Sequence, residues 1–167
     1  MQSTSLLIVS DESDATRRAV RYVATMVARR RGFRLCLAHV LPTLPPELLE
    51  FGGAEKPQTE ERLDARRKAD LQAWIAAAKE TGGRVLEEAR WTLREAGVAE
   101  AAIRTEFLDP LEGRDVVGEI LNLTGLRHCH TIVIGRESHS WFTALIRGDL
   151  AGELVRRGKG FTIWVVE

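Results

Sequence analysis

The sequence shows no excess of charge of either sign. Its 24 lysine and arginine residues balance 24 aspartate and glutamate residues over 167 positions. Proteins that hold nucleic acid or an anionic membrane through their overall electrostatic field carry a clear excess of basic residues. We therefore expect neither nucleic acid nor a membrane among the partners of this protein.

Cysteine and long apolar runs are also scarce. No stretch approaches the ~18 consecutive apolar residues of a membrane-spanning helix, and the first apolar run, Leu6 to Val9, is too short for the core of a signal peptide. The two cysteines, Cys36 and Cys129, lie in or beside predicted strands. This placement favours buried free thiols in a reducing compartment, so we expect a cytoplasmic protein.

Two common phosphate-binding motifs and the usual catalytic groupings are missing as well. There is no Gly-x4-Gly-Lys-Ser/Thr, and no Gly-x-Gly-x-x-Gly follows the first predicted strand. His128 and His130 could reach one ion, but no third ligand is identifiable, and a structural zinc site usually has about four. His139 and Ser140 are neighbours without a group that orients a base. We expect no metal site and no enzyme, with slow nucleotide hydrolysis left open.

The sequence does contain an alternation of short apolar runs and helical patterns. Four of the five runs are almost continuously apolar, which is typical of strands covered on both faces. The run at residues 103–108 alternates in polarity, as an edge strand does. The runs are Leu6–Val9, Leu35–Val40, Ile103–Leu108, Thr131–Ile134 and Phe161–Val166.

Four helical patterns separate these runs, at residues 14–31, 59–96, 116–126 and 149–157. Asp14 is predicted to cap the first helix, whose apolar face would include Tyr22 and Met26. Gly82 and Gly83 are predicted to kink or break the second helix, because two interior glycines cost roughly 2 kcal/mol relative to alanine.

The order of the elements predicts an α/β fold. Alternating strands and helices favour one domain over residues 1–167, a three-layer sandwich of the Rossmann-like kind. Its five-stranded parallel sheet would have helices on both faces and the strand order 3-2-1-4-5. Residues 42–58 hold four of the five prolines and are predicted to form a mobile loop. The last strand, with Ile163, Trp164, Val165 and Val166, is predicted to pair two subunits of a homodimer.

A candidate phosphate site lies in the last third of the chain. The apolar run that ends at Gly135 is followed, thirteen residues later, by Gly148 at the start of a helical pattern. In an open α/β sheet, such a strand-loop-helix unit is where phosphates are usually held. The turn after the first strand, residues 10–14, would lie at the same edge of the sheet.

Several collinear segments resemble the universal stress protein family, and together they cover nearly the whole chain. They are Leu7–Ser13, Ala38–Pro42, Leu108–Pro110, Thr131–Gly135, Arg147–Gly148 and Ile163–Val166. The resemblance implies an adenine-nucleotide α-hydrolase-like fold and a cytoplasmic protein, usually dimeric through its last strand. Part of this family binds ATP through the pattern Gly-x2-Gly-x9-Gly-Ser/Thr, and another part lacks the pattern and does not.

The ATP motif is degenerate in this chain. Gly135 and Gly148 fill its first and third positions, whereas Ser138 replaces the second glycine and Asp149 replaces the hydroxyl residue. The resemblance further implies that Asp11 lies near the ribose and the backbone of Val40 near the adenine. The complete candidate set is Asp11, Val40, Gly135, Arg136, Ser138, His139, Arg147, Gly148 and Asp149.

Whether the protein binds ATP tightly depends mainly on Asp149. Its carboxylate would repel a phosphate, although its ordinary role would be to cap the last helix. We therefore expect a stress-response module without tight ATP binding and without a cofactor. The alternative is a regulatory protein that binds ATP or ADP with magnesium, bridged through Asp149 and helped by basic side chains of the loop. Trp141 would lie in the core, at an interface or stacked on a nucleotide base. A third possibility is an interaction protein whose partner contacts Trp141 and the loop at residues 42–58.

Overall fold

Five parallel strands form one sheet in the computed structural model of the protein, which describes residues 4–42, 44–45, 48, 57–108, 115–136 and 149–167. The strands are β1 (Thr4–Ser10), β2 (Phe33–Val40), β3 (Ile103–Leu108), β4 (Thr131–Gly135) and β5 (Thr162–Val166). Their order in the sheet is β3-β2-β1-β4-β5. The predicted parallel α/β sheet and its order are confirmed, and the alternating run 103–108 is indeed an edge strand.

Helices cover both faces of the sheet. Within the described residues, the helices that pack on the sheet are α1 (Asp14–Val27), α2 (Pro57–Glu95), α3 (Val116–Leu126) and α4 (Leu150–Arg157), and a 3-10 turn (Glu100–Ala102) precedes β3. Right-handed crossovers place α1 and α2 on one face and α3 and α4 on the other, because the direction of winding reverses after β3.

Each face of the sheet has its own apolar core. Successive side chains along a strand point alternately into one core and into the other. Leu6 and Ile8 pack with α1 and α2 in one core, whereas Leu7 and Val9 pack with α3 and α4 in the other. This arrangement explains why β1 is almost continuously apolar: both of its faces are buried.

The start and the outer face of α1 differ from the prediction. The N-cap is Ser13, not Asp14, and its side chain accepts a hydrogen bond from the backbone N–H of Thr16. Tyr22 and Met26 are 45% and 38% exposed, so they lie at the border of the helix's buried face. The Tyr22 ring meets the ring of Trp164 edge to face, with 6.0 Å between centroids.

The predicted break in α2 is wrong, because the helix runs without interruption through Gly82 and Gly83. A Cβ atom at Gly82 would lie 2.5 Å from Cδ2 of His39 and 2.9 Å from Cε1 of Phe107. At Gly83 a Cβ atom would meet nothing within 4 Å. Gly82 therefore serves close packing of α2 on the sheet, and this contact outweighs its low helix propensity.

Both cysteines are buried and free, as predicted. In the part of the chain that the structure describes, no helix is long and apolar enough to cross a membrane. The proposed mobile loop at 42–58 falls largely outside the described residues, and the assignment of one domain to residues 1–167 stays a prediction.

Candidate functional site

Several of the predicted site residues lie at the carboxyl edge of the sheet. Asp11 follows β1, Val40 ends β2, and Gly135 and Arg136 end β4. Asp149 stands at the start of α4, the next described helix after β4. Carboxyl edges at a reversal of winding are the usual ligand crevices of open α/β sheets. The remaining predicted residues lie outside the described residues: Ser138, His139, Trp141, Arg147 and Gly148.

Asp11 is buried and already holds several hydrogen bonds. Its side chain is 2% exposed. Oδ1 accepts bonds from the N–H of Ser13 at 3.0 Å, from the Ser13 hydroxyl, and from Oγ1 of Thr16 at 2.6 Å. The N–H of Asp11 donates to the same Thr16 oxygen at 2.9 Å. The carboxylate therefore organises the turn between β1 and α1.

The backbone of Val40 faces the end of β1, and its predicted contact with an adenine stays a prediction. The N–H of Leu41 donates to the carbonyl of Leu108 on β3 at 2.9 Å. Alternate residues of a parallel ladder bond to opposite neighbours, so the backbone groups of Val40 face the side of β1. Because the pairing of β1 with β2 ends at Ser10, the Val40 carbonyl faces the crevice beyond the end of β1.

Gly135 has a packing role that is independent of any phosphate. A Cβ atom at this position would lie 2.2 Å from the carbonyl oxygen of Ala15 and 2.8 Å from its Cβ. These distances are far below ordinary contact, so a side chain at residue 135 would force α1 away from β4. The glycine therefore explains the closeness of helix and strand, and by itself it is not evidence for a nucleotide.

Arg136 is engaged with the end of the chain. Its N–H donates to the carbonyl of Val166 at 2.7 Å, and its guanidinium forms an exposed ion pair with Glu167 at 3.3 Å. Arg18 of α1 donates to the carbonyl of Arg136 at 3.1 Å, and its Nε atom is buried without a partner in the described residues. Arg18 could not be singled out from the sequence, because only the packing of α1 against β4 brings it to this turn.

Asp149 takes the N-cap position of α4 but does not cap the helix with its side chain. Its carbonyl accepts a bond from the N–H of Glu153 at 2.9 Å, whereas its carboxylate makes no capping hydrogen bond within the described residues. The predicted capping bond is therefore wrong. The exposed carboxylate lies at the N-terminus of α4, the positive end of the helix dipole.

His39 is a buried polar residue of the same edge. It is 1% exposed, its Nδ1 atom lies 3.4 Å from the hydroxyl of Ser10, and its Nε2 atom has no partner among the described residues. Burial lowers the pKa of His39, and the nearby charge of Asp11 acts against this shift. The imidazole is thus held in its neutral form beneath Gly82.

A small cavity of about 40 Å³ lies between α1 and α2, next to Asp11. A water molecule needs roughly 10–15 Å³ by the same kind of measure, so this space holds a few waters and no nucleotide base. Arg17 bridges its rim to Glu88 at 3.2 Å. Among the described residues, no group of three histidine, cysteine, aspartate or glutamate side chains could hold a metal ion.

The all-parallel sheet with the strand order 3-2-1-4-5 and helices on both faces defines a Rossmann-like class of α/β proteins. Within this class, the model of the universal stress protein family matches residues 3–160. The protein therefore belongs to the universal stress protein family.

Solved structures of the family share the fold. A protein of this family from Burkholderia pseudomallei has a TM-score of 0.64 and 18% identity, with 98% of this chain and 95% of that chain covered. A universal stress protein in complex with cAMP has a TM-score of 0.58 and 17% identity, with 100% and 98% covered. One from Archaeoglobus fulgidus in complex with dAMP has a TM-score of 0.54 and 21% identity, with both chains covered completely. A search of curated proteins gave no significant match.

Proposed function

We propose that this protein is a dimeric regulatory module of the stress response that does not bind ATP tightly and is not an enzyme. The observation that carries the proposal is Asp149, whose carboxylate is exposed at the start of α4 and makes no capping bond there in the described structure. ATP-binding relatives of the resembled pattern have a hydroxyl residue at this position. A phosphate bound there would lose a donor and meet a negative charge.

The free-energy cost of having Asp149 at this position determines whether ATP binding is weakened or unaffected. Losing a hydroxyl bond to a charged phosphate costs about 1.5–3 kcal/mol. Repulsion between charges ~4 Å apart is about 1 kcal/mol in water and about 4 kcal/mol at an effective dielectric constant of 20. Because Asp149 is exposed, the lower values apply, and their sum of about 2.5 kcal/mol turns a micromolar site into one near 0.1 mM.

Two further contacts make the crevice less suited to ATP. The Oδ1 atom of Asp11 accepts hydrogen bonds within the turn after β1, so this oxygen is less available to a ribose. Arg136 pairs with Glu167, which reduces the positive charge available to phosphates. Both observations support a crevice that is modified relative to that of a nucleotide-binding relative.

The alternative is a protein that binds an adenine nucleotide weakly or with a bridging magnesium ion. Relatives with the same fold have been solved in complex with cAMP and with dAMP. Arg18, with its half-buried guanidinium beside the turn after β4, could serve a phosphate, and Asp149 could hold magnesium. Nucleotides with fewer phosphates would also meet less repulsion from Asp149.

The first experiment compares ATP binding by the parent protein and by Asp149→Ser, using calorimetry with and without magnesium. We expect the substitution to tighten ATP binding about 50-fold, and Ser138→Gly to add a smaller gain in the double variant. Asp64→Ser is the matched control, because it removes an exposed carboxylate from α2 and should leave affinity unchanged. Equal affinities of parent and Asp149→Ser would contradict the proposed charge repulsion.

A second experiment identifies any nucleotide that the protein carries. Freshly purified protein is denatured, and the released small molecules are measured by mass spectrometry. A stoichiometric adenine nucleotide would support the alternative function. Its absence, together with weak ATP binding in solution, supports the proposed module.

The dimer is proposed to form through β5, which is an edge strand of the sheet. Val165 is 38% exposed, while Ile163, Trp164 and Val166 are half-buried against the protein's own cores. An unpaired edge with exposed apolar side chains favours pairing with a second copy.

Val165→Lys tests the dimer by sedimentation at micromolar concentration. We expect a dimer for the parent and a monomer for the variant. Trp91→Lys, at an exposed apolar position of α2, is the control and should remain dimeric. A monomeric parent would overturn the proposed assembly.

A further inference from the structure

A second cavity, of about 200 Å³, lies at the opposite edge of the sheet, where the strands begin. The first residues of β1, β2 and β3 form one side of it, and the turn between α3 and β4 forms the other. Its polar and thiol-bearing lining residues are Ser5, Arg34, Cys36, Arg104, Arg127, His128 and Cys129.

Strand register explains why the arginines converge on this cavity. Cys36 of β2 pairs with Arg104 of β3, and Arg34 precedes Cys36 by two residues, so all three side chains project from the same face of the sheet. The face is the one covered by α3, since Cys36 packs in the core with that helix. Arg34 and Arg104, which are far apart in sequence, thus lie on diagonal positions of neighbouring strands.

The ion pairs leave part of this positive charge uncompensated. Arg127 is paired with Glu106. Arg34 and Arg104 have no ion-pair partner within the described part of the chain, and both are exposed at the rim. The carbonyl end of α3 contributes about half a negative charge nearby. Three guanidinium groups against one carboxylate and this helix end leave a net positive charge of roughly +1.5.

The floor of the cavity is neutral. Burial raises the pKa of Cys36 to about 12, and burial also raises the pKa of Cys129, so both thiols stay protonated at neutral pH. Arg104 and Arg127 line the same cavity as Cys36, and the charge of Glu106, the ion-pair partner of Arg127, also raises the pKa of the Cys36 thiol. The cavity therefore combines positive walls with a small, uncharged floor.

We propose that this pocket, defined by Arg34, Cys36, Arg104, Arg127 and Cys129, binds a small oxyanion of the phosphate class. Guanidinium groups match the oxygens of phosphate in a bidentate geometry. A cavity of about 150 Å³ is enough for a benzene molecule, so this one accommodates inorganic phosphate or a small phosphate monoester but not a whole nucleotide. The site is separate from the crevice at the carboxyl edge and does not depend on the proposed function.

The test is a titration of the ¹⁵N-labelled protein with inorganic phosphate, followed by NMR at constant ionic strength and pH with chloride as the balancing anion. We expect saturable shifts of the Cys36 and Arg104 amides. Arg34→Gln and Arg104→Gln should each weaken binding about 10-fold. Arg66→Gln, which removes the same charge from an exposed position of α2, is the matched control and should bind as the parent does.

Two results would overturn the proposal: shifts that grow linearly without saturation, or saturable shifts confined to the carboxyl edge around residues 135–136 and 149–153. If Arg104→Gln fails to fold, Arg104→Lys keeps the charge without the bidentate geometry and should weaken binding a few-fold. A parallel titration with glycerol phosphate distinguishes the source of the ligand. Tighter binding of glycerol phosphate than of inorganic phosphate identifies a phosphate monoester as the ligand, and weaker binding identifies the free ion.

Discussion

The two edges of the sheet differ in how their charges are used. At the carboxyl edge, Asp11 is committed to the turn after β1, Arg136 is paired with Glu167, and Asp149 adds a negative charge at the start of α4. At the amino edge, Arg34 and Arg104 lie over a larger cavity without ion-pair partners in the described structure. From the described residues, we therefore expect the fold's usual ligand edge to be the less favourable one for an anion.

This difference shows that the position of a crevice and its electrostatics are set separately. Strand order and crossovers fix where the crevice lies. A few charged side chains at the carboxyl edge of the sheet, such as Asp149, then decide whether it attracts an anion.

The largest loss of stability is expected when a methyl group is introduced at Gly135, at the carboxyl edge of the sheet. Gly135→Ala places a Cβ atom 2.2 Å from the carbonyl oxygen of Ala15, and relief of this clash must separate α1 from β4. We expect a loss of at least about 3 kcal/mol in the free energy of unfolding, measured by urea denaturation. Gly125→Ala, where a Cβ atom meets nothing within 4 Å, is the control and should be neutral or stabilising. Equal stability of Gly135→Ala and the parent would refute this packing.

Two adjacent glycines of α2 test the same packing argument, because substitutions at them are expected to change stability in opposite directions. Gly82→Ala would push the helix from His39 and Phe107 and should cost about 1–3 kcal/mol. Gly83→Ala meets no neighbour and should gain about 0.5–1 kcal/mol from higher helix propensity. Thermal unfolding of the two variants checks the prediction, which fails if their melting temperatures shift in the same direction.

A smaller effect is expected at the amino edge, in the turn after α3. His128 has φ of 51°, and the N–H of Cys129 donates to the carbonyl of Thr124 at 2.9 Å. This is the position at a helix end that glycine prefers. His128→Gly should therefore stabilise the protein by about 0.5–1 kcal/mol. His130→Gly serves as control, since residue 130 lacks a positive φ, and stabilisation of both variants would argue against the explanation.

The final prediction concerns pH at the carboxyl edge. Burial lowers the pKa of His39 in the folded state, so the unfolded chain takes up its proton first as pH falls. Stability should therefore decrease below about pH 6.5, the ordinary pKa of histidine, until the folded form is protonated too. Urea unfolding between pH 5 and 8 should show a shallower dependence for His39→Gln than for the parent. An unchanged slope would assign the pH dependence to other groups.

The sheet could be predicted from sequence because its strands are short apolar runs buried on both faces, as in β1 and β4. The errors lie where a contact between distant residues decided the structure. Gly82 looks like a helix breaker until His39 and Phe107 are known to lie beneath it. Tyr22 fits an apolar helical face, yet it lies at the border of that face against Trp164.

The sites were predictable to different degrees. Motif spacing indicated Gly135 and Asp149, because the residues of a strand-loop-helix unit are close in sequence. It could not indicate Arg18, whose role depends on how α1 packs on β4. The pocket at the amino edge was not predicted either, since Arg34 and Arg104 meet only through the register of β2 and β3.

The most direct test of the central claim is a calorimetric titration of the parent protein with ATP, with and without magnesium. A carboxylate at residue 149 predicts a dissociation constant of about 0.1 mM or weaker in both conditions. Binding in the low micromolar range would show that the carboxyl edge is an intact nucleotide site, and it would contradict a phosphate position weakened by Asp149.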